Sequence, residues 1–304
     1  MPRSDRYRAQ VALLVETLSF VAAEEKFALK GGTAINLFLR DMPRLSVDID
    51  LAYLKVADRA ESLADIDTAM KRLAGAIRGG IRRTRVNEVA NAAEGIVTKL
   101  TVQRPGAQIK IEVTPVLRGC VFPPETRSVS ARVEEEFGYA ETQVVSFADL
   151  YGGKIMAALD RQHPRDLFDV RDLLANEGIT DELRQAFIVY LISHGRPIAE
   201  VLRSPQKDIS ATFAGEFAGV TTVEVALEEL IAAREALVAE VVGNMPEAHR
   251  RFLVGFKRGA PDWTLLGVPG AAELPAVRWK RQNLDRLSAD ARARLVREVE
   301  ELLL

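Results

Sequence analysis

The sequence is poor in the residues that form disulfides and structural zinc sites. Its 304 residues include one cysteine, Cys120, and three histidines. A single cysteine excludes an intramolecular disulfide and gives weak support for a reducing compartment. So few thiol and imidazole ligands also argue against a structural zinc site.

Long apolar runs are missing as well. No run of about 18 apolar residues occurs, and the charged start of the chain lacks the apolar segment of a signal peptide. The net charge is only −2, so nucleic-acid binding would have to rely on local basic patches. We therefore expect a soluble, cytoplasmic protein without a membrane partner.

The signatures of several large enzyme classes are absent. The chain has no Gly-x-x-x-x-Gly-Lys-Ser/Thr loop, no Gly-x-Gly-x-x-Gly after a strand and no Gly-x-Ser-x-Gly elbow. Phosphate chemistry in this protein must therefore use a different motif from those of Walker-type NTPases and Rossmann dehydrogenases.

Hydrophobic periodicity divides the chain into an α/β half and a helical half. Strands are predicted at about 27–30, 45–53, 95–103 and 108–117, and helices at about 6–25, 33–40, 58–78, 146–161, 164–176, 181–193, 223–242, 246–257 and 285–304. We predict an α+β fold. A mixed-sheet domain with flanking helices would span 1–145, and a mainly helical domain 146–304.

A glycine pair opens the helix that follows the first strand. Gly31, Gly32 and Thr33 expose backbone N–H groups at the positive end of the helix dipole. Such a helix start suits phosphate oxygens. These three residues are therefore the predicted phosphate cradle.

Two aspartates stand one residue apart in the next strand. Because alternate residues of a strand point the same way, Asp48, Asp50 and Ser46 share one face while Ile49 packs on the other. Two carboxylates this close repel each other unless a cation lies between them, and Mg²⁺ prefers hard oxygen ligands. The pair predicts a Mg²⁺ site beside the cradle, in a protein that handles an NTP.

A third acid is expected on a neighbouring strand, because two-metal phosphoryl chemistry usually uses more than two carboxylates. In the strand over 108–117, Glu112 faces away from the predicted core. It is the candidate third metal ligand, and an ordinary solvent-facing glutamate is the alternative.

A second block of charged residues follows in the predicted helices of the second half. Lys154 lies among small residues, where a lysine can reach a triphosphate as a point charge. Asp166 and Asp169 share a helix face one turn apart. The alternative is an ordinary surface helix with salt bridges.

Basic residues form local clusters in this nearly neutral chain. Three clusters occur: Arg78, Arg82, Arg83 and Arg85; His249, Arg250 and Arg251 with Lys257 and Arg258; and Arg278, Lys280 and Arg281 around Trp279. The alternative for each cluster is an ordinary solvated face. Trp279 can stack on a base or simply anchor the C-terminal segment. Together the clusters make a nucleic-acid-binding surface reasonable without proving it.

These motifs together closely resemble the AbiEii/AbiGii-type nucleotidyltransferase toxins of the DNA polymerase β-like nucleotidyltransferase superfamily. The resemblance covers roughly residues 25–175. It rests on Leu-Lys-Gly-Gly-Thr-Ala-Ile-Asn-Leu, on Arg-Leu-Ser-Val-Asp-Ile-Asp-Leu, and on the Lys154 helix with the following Arg-Asp-Leu-Phe-Asp.

The resemblance assigns roles to individual positions of this chain. The first family motif falls on Gly32, Thr33, Ser46, Asp48 and Asp50, the family lysine on Lys154, and the last acidic motif on Asp166 and Asp169. The match does not decide which of the last two aspartates is functional. The helical domain would thus contribute Lys154 and the acidic helix to the active site.

The resemblance also implies an activity and partners. It implies a Mg²⁺-dependent toxin of a type IV toxin–antitoxin system that transfers NMP from an NTP to an acceptor, paired with an AbiEi-type antitoxin and linked to abortive infection and phage defence. The related MenT toxins modify tRNA acceptor ends, so a tRNA 3′ end is the expected acceptor.

Three alternatives stay open at this point. NMP transfer to a protein or small molecule would label those acceptors in place of RNA. A catalytically silent, antitoxin-like binding module would need no aspartate pair, although the chain retains Asp48, Asp50 and Lys154. A hydrolase would release products without leaving NMP on an acceptor.

Overall fold

The computed structural model describes residues 5–304, and its first unit is built on a seven-stranded sheet. This unit comprises the described part of Met1–Ser146 together with Gly219–Glu224. The first four residues of the charged N-terminal stretch lie outside the described residues. The strands are β1 (Phe27–Lys30), β2 (Asp48–Tyr53), β3 (Arg85–Ala90), β4 (Val97–Arg104), β5 (Ala107–Val113), β6 (Glu125–Ser128) and β7 (Glu141–Val144).

The sheet is mixed, in the order β3-β4-β5-β2-β1-β7-β6. Strand β2 pairs parallel to β5, β1 pairs parallel to β7, and the other neighbours are antiparallel. Strand β2 is therefore an interior strand, with β1 on one side and β5 on the other. Residues on all three strands meet side by side.

Alternation in β2 and β5 gives this sheet a covered face and an open face. Ile49, Leu51, Ile109 and Ile111 are buried, whereas the residues between them are partly or fully exposed. Two long helices, Asp5–Ala22 and Arg59–Gly80, pack against each other and against the sheet. The helices of this unit are α1 (Asp5–Ala22), α2 (Gly31–Ala34), which continues as a π-helical turn over Ile35–Leu39, α3 (Arg59–Gly80) and α4 (Ala131–Phe137).

A short segment from late in the chain returns to the first unit. Residues 219–224 lie beside the loop that precedes β2. The Leu45 N–H donates to the Val220 carbonyl at 2.9 Å, and the Thr222 N–H donates to the Pro43 carbonyl at 2.8 Å. The chain therefore passes from one unit to the other three times along its length.

The second unit is helical and comprises Phe147–Ala218 with Val225–Leu304. The helices Phe147–Asp160 and Asp181–Ser193 pack closely because Gly152 has no side chain, and a Cβ on it would lie only 3.0 Å from the Phe187 nitrogen. The α-helices are α5 (Phe147–Asp160), α6 (Pro164–Asn176), α7 (Asp181–Ser193), α8 (Ile198–Leu202), α9 (Ser210–Thr212), α10 (Leu227–Val238), α11 (Glu247–Arg258), α12 (Pro275–Asp285) and α13 (Ala289–Leu303).

The structure confirms the predicted α+β class with a mixed sheet. Strands β3, β6 and β7 were not predicted. The long helix predicted over 285–304 is wrong at its start, because a turn separates α12 from α13 and Ser288 caps α13. Among the described residues, none of the helices is both long enough and apolar enough to cross a membrane.

Candidate active site

The aspartate pair lies on the open face of the central strand. Asp48 is exposed and Asp50 half-buried, while Ile49 between them is buried. Across the sheet, Asp50 is paired in register with Glu112 of β5 and with Lys30 of β1. Because residues paired across strands point to the same face, two carboxylates and one ammonium form a row beside Asp48.

The first glycine of the pair lets the backbone approach Asp50. Gly31 has a φ of 75°, in the left-handed region that side chains disfavour. A Cβ built on it would lie 2.6 Å from Asp50 Oδ2, closer than real contacts allow. The start of α2 is therefore seated directly against one carboxylate of the pair.

The second glycine has different neighbours. A Cβ on Gly32 would lie 2.7 Å from Arg44 Nη2 and 3.1 Å from Ser46 Oγ. The Asn36 side-chain amide donates to the Gly32 carbonyl at 2.7 Å, and its oxygen accepts from the Arg44 N–H at 3.3 Å. These contacts hold the helix start, Arg44 and Ser46 together as one compact group.

Thr33 joins the helix start to the aspartate strand. Its side chain is fully buried, and its hydroxyl donates to the Asp48 carbonyl at 2.5 Å. Since that hydroxyl has one proton, the 3.0 Å contact with Ser46 Oγ has Ser46 as the donor. Thr33 can therefore serve the predicted cradle through its backbone N–H, while its side chain fixes the position of β2.

In the helical unit, Lys154 lies between the two aspartates of α6. Its Nζ is 2.8 Å from Asp166 Oδ1 and 3.1 Å from Asp169 Oδ2. All three side chains are at least nine-tenths buried. Arg161 also contacts Asp166, at 2.5 Å from Nε to Oδ2. The block is thus a buried ionic cluster and not the surface helix given as the alternative.

The charges of this cluster determine the protonation of Asp166. Burial alone would raise the pKa of the Asp166 carboxyl, but the Lys154 ammonium and the Arg161 guanidinium outweigh it and hold the pKa well below its usual range. Asp166 is therefore ionised at neutral pH.

The comparison with protein families decides the assignment. The family model described as "Nucleotidyl transferase AbiEii toxin, Type IV TA system" matches residues 12–283. The chain belongs to this family. The predicted resemblance is therefore confirmed, and this AbiEii protein is a nucleotidyltransferase of the type IV toxin class, which implies an NTP substrate and an antitoxin partner.

A solved structure gives the fold independently. The AbiEii protein is similar to MenT4, a nucleotidyltransferase toxin from Mycobacterium tuberculosis H37Rv, with a TM-score of 0.55 at 17% identity. The match covers 98% of this chain and 92% of that chain. At this identity the likeness concerns the fold. The search of curated proteins gives no match.

Two cations of this AbiEii site were missed by sequence reasoning. Lys30 ends β1 beside Asp50; burial lowers the pKa of its ammonium, and Asp50, Cys120 and Glu112 oppose that shift. Arg44 is buried against Gly32. Lys30 could have been found, because it is the last residue of the predicted strand that leads directly into the glycine pair. Arg44 gave none, because a single cation in a loop has no periodicity.

The carboxylates of the site can be compared with the ligands that Mg²⁺ uses in proteins. Among residues 5–304, no three or more carboxylate, imidazole or thiol groups are arranged to hold a metal ion. Glu112 Oε2 lies 3.0 Å from Lys99 Nζ and its side chain is 48% exposed. Mg²⁺ in nucleotide enzymes commonly uses one or two carboxylates plus substrate phosphates. Asp48 and Asp50, with the helix start seated against Asp50, fit that pattern.

Proposed function

We propose that this protein is a Mg²⁺-dependent enzyme that transfers NMP from an NTP to the 3′ end of a tRNA in the cytoplasm. The observation that carries the proposal is the seating of the Gly31–Gly32 helix start against Asp50, with Asp48 on the same face. Backbone N–H donors suit phosphate oxygens and a nearby pair of carboxylates suits Mg²⁺, so this arrangement supports the proposal.

Each residue of the first unit has a defined part in this proposal. Asp48 and Asp50 would hold Mg²⁺, and Glu112 is the candidate third ligand. The metal, when bound, would neutralise phosphate charge and lower the pKa of the attacking hydroxyl. The backbone N–H groups of Gly31–Thr33 would bind the β and γ phosphates, and Ser46 adds a hydroxyl to the same group.

The transfer itself is a substitution at phosphorus. The acceptor hydroxyl oxygen forms a bond to the α phosphorus, the bond from that phosphorus to the bridging oxygen breaks, and pyrophosphate departs. The hydroxyl proton passes to water. Lys154 would neutralise charge on the departing pyrophosphate, and Asp166 and Asp169 would position its ammonium through the contacts described above.

The test is a labelling experiment with a matched control. The protein is incubated with each α-labelled NTP, Mg²⁺ and total RNA, and labelled RNA is resolved by size. Asp48→Asn should lower transfer at least about 100-fold, the scale of losing one catalytic electrostatic contact. Asp41→Asn makes the same chemical change at an exposed nearby position and should leave transfer unchanged.

The outcomes separate the possible acceptors and ligands. Label on a protein or on a small molecule would show that the acceptor is not tRNA. Transfer by Asp48→Asn at the wild-type rate would refute the proposal. Glu112→Gln should raise the Mg²⁺ concentration needed for half-maximal rate if Glu112 binds the metal. An unchanged Mg²⁺ dependence would leave Glu112 as the partner of Lys99 alone.

A further inference from the structure

The helical unit contains a cavity whose charged lining is entirely basic. The cavity measures about 180 Å³ and lies between the α7–α8 loop and helices α11–α13. Its walls are largely apolar, and its charged or titratable lining residues are His194, Arg196, Lys257 and Lys280. No carboxylate lines it. A ligand that suits this lining is an anion.

Two of these basic groups already have a carboxylate nearby. Arg196 Nη1 lies 2.6 Å from Asp160 Oδ1, and Arg196 Nε lies 3.6 Å from a Glu200 oxygen. His194 Nε2 lies 3.6 Å from the same Asp160 carboxylate. Arg196 and His194 therefore line the cavity with their polar atoms close to carboxylates.

The two lysines have no such partner. In the part of the chain that the structure describes, neither Lys257 nor Lys280 has a carboxylate within ion-pair distance. Glu298 is the acid whose field reaches Lys257, but it is paired with Arg294. Two uncompensated ammonium groups thus face one cavity.

Lys257 is the more deeply placed of the two, with a residue exposure of only 9%. Burial and the nearby Lys280 lower its pKa to about 8, so its ammonium is still mostly protonated at pH 7. Burying a charge without a counter-ion is unfavourable, and the C-terminal end of α11 offsets only part of that cost. A bound anion would offset the remainder.

An exposed aromatic ring adjoins the cavity. Trp279 is 55% exposed, and Lys280 Nζ lies 5.6 Å from the centre of its ring. The same Nζ donates to the Gly195 carbonyl at 3.2 Å, and Gly195 lines the cavity. Proteins that recognise single-stranded nucleic acid usually combine two features. Cations bind the backbone phosphates, and an adjacent aromatic ring stacks on a base.

We propose that the cavity lined by Lys257 and Lys280 binds a backbone phosphate of single-stranded nucleic acid, with a neighbouring base stacked on Trp279. The inference rests on the proposed function to the extent that this strand belongs to the RNA acceptor. On this proposal the helical unit holds the acceptor strand, and the residues that do so are different from those that bind the phosphates of the NTP.

The test measures binding in the absence of transfer. A fluorescein-labelled single-stranded RNA with a blocked 3′ end is titrated with the full-length protein in EDTA without NTP. Lys257→Met should weaken binding about tenfold and reduce the slope of log K against log salt by about 0.7, the value for one phosphate contact on a single strand. Lys207→Met removes an exposed lysine of the same unit and should change neither quantity beyond experimental error.

A second measurement does not depend on how Lys257→Met folds. RNA should quench tryptophan fluorescence, and Trp279→Phe should abolish the quenching, because the remaining Trp263 packs against Phe252 at 5.1 Å between ring centres. Lys257→Arg preserves the charge and should preserve most of the affinity.

Three results would overturn the inference. The first is equal RNA affinity of Lys257→Met and Lys207→Met. The second is a Lys257→Met variant that loses binding of inorganic phosphate but keeps its affinity for RNA. The third is competition by a poly-glutamate peptide as strong as that by unlabelled RNA, which would indicate an acidic protein partner. Since the RNA cannot accept NMP here, loss of binding is distinguishable from failure of the transfer reaction.

Discussion

The contact between Gly31 and Asp50 gives the sharpest test of the aspartate site. A methyl group at position 31 would lie 2.6 Å from Asp50 Oδ2, whereas ordinary contacts begin at 3.4 Å. In Gly31→Ala the carboxylate oxygen must therefore move by about 0.8 Å, or the helix start must move away from it. Metal–ligand distances tolerate only about 0.2 Å. A displacement near 1 Å in a catalytic arrangement costs about 100-fold in rate.

Backbone strain has to be separated from this displacement. An alanine in the left-handed region costs about 1–2 kcal/mol, which would lower the melting temperature by a few degrees in a protein of this size. Gly95 provides the matched control, because its φ of 69° is similar to that of Gly31 but no atom lies within 4 Å of its built Cβ. Gly95→Ala carries the strain without the clash.

The assay compares initial rates of NMP transfer and thermal unfolding for both variants. We expect similar losses of melting temperature in the two, together with a rate loss of about 100-fold in Gly31→Ala alone. Equal rates in the two variants would refute the reasoning. They would mean that the position of Asp50 relative to the helix start does not control the reaction.

Two further predictions concern the ionic cluster of the helical unit. Lys154→Met leaves Asp166 and Asp169 without the ammonium group that they share. Breaking a buried ion pair costs about 3–5 kcal/mol, and because Arg161 still contacts Asp166 we expect the lower end of this range. Urea unfolding should therefore show a loss of roughly 3 kcal/mol in the free energy of unfolding. A loss below about 1 kcal/mol, the value for an exposed pair, would contradict this. Because the pKa of Asp166 is lower in the folded chain than in the unfolded one, its stabilising contribution is present above about pH 4 and is lost as the pH falls further. The melting temperature of the wild type should therefore fall more steeply than that of Asp166→Asn as the pH drops from about 5 to about 3, the range around the pKa of an unfolded aspartate. Parallel curves for the two proteins would contradict the assignment.

The predictable part of this fold is the part with strong periodicity. Strand β5 alternates buried and exposed residues throughout its length, and its hairpin to β4 turns at Gly106 with a φ of 82°. Strand β3 was missed because only Val86 is buried in it, so its sequence has no alternation to detect. An edge strand of this kind is formed by its hydrogen bonds to β4, which local sequence does not reveal.

The candidate site shows the same division. The shared face of Asp48 and Asp50 follows from strand geometry, and the shared face of Asp166 and Asp169 from helix geometry. Burial of the second pair could not be predicted, since charged residues are usually exposed unless a partner compensates them. That partner, Lys154, lies on a different helix, and only tertiary packing brings its ammonium between the two carboxylates.

The returning segment over 219–224 has a consequence for inhibition. It fixes the loop around Pro43 and Leu45 by hydrogen bonds, and that loop carries Arg44 against Gly32. Both ends of the segment continue into the helical unit. A protein that binds the chain on both sides of this segment and pulls it away from the first unit would break these hydrogen bonds. The loop would then no longer hold Arg44 against Gly32 at the start of α2. Displacing this segment would therefore disturb the start of α2 without covering either aspartate.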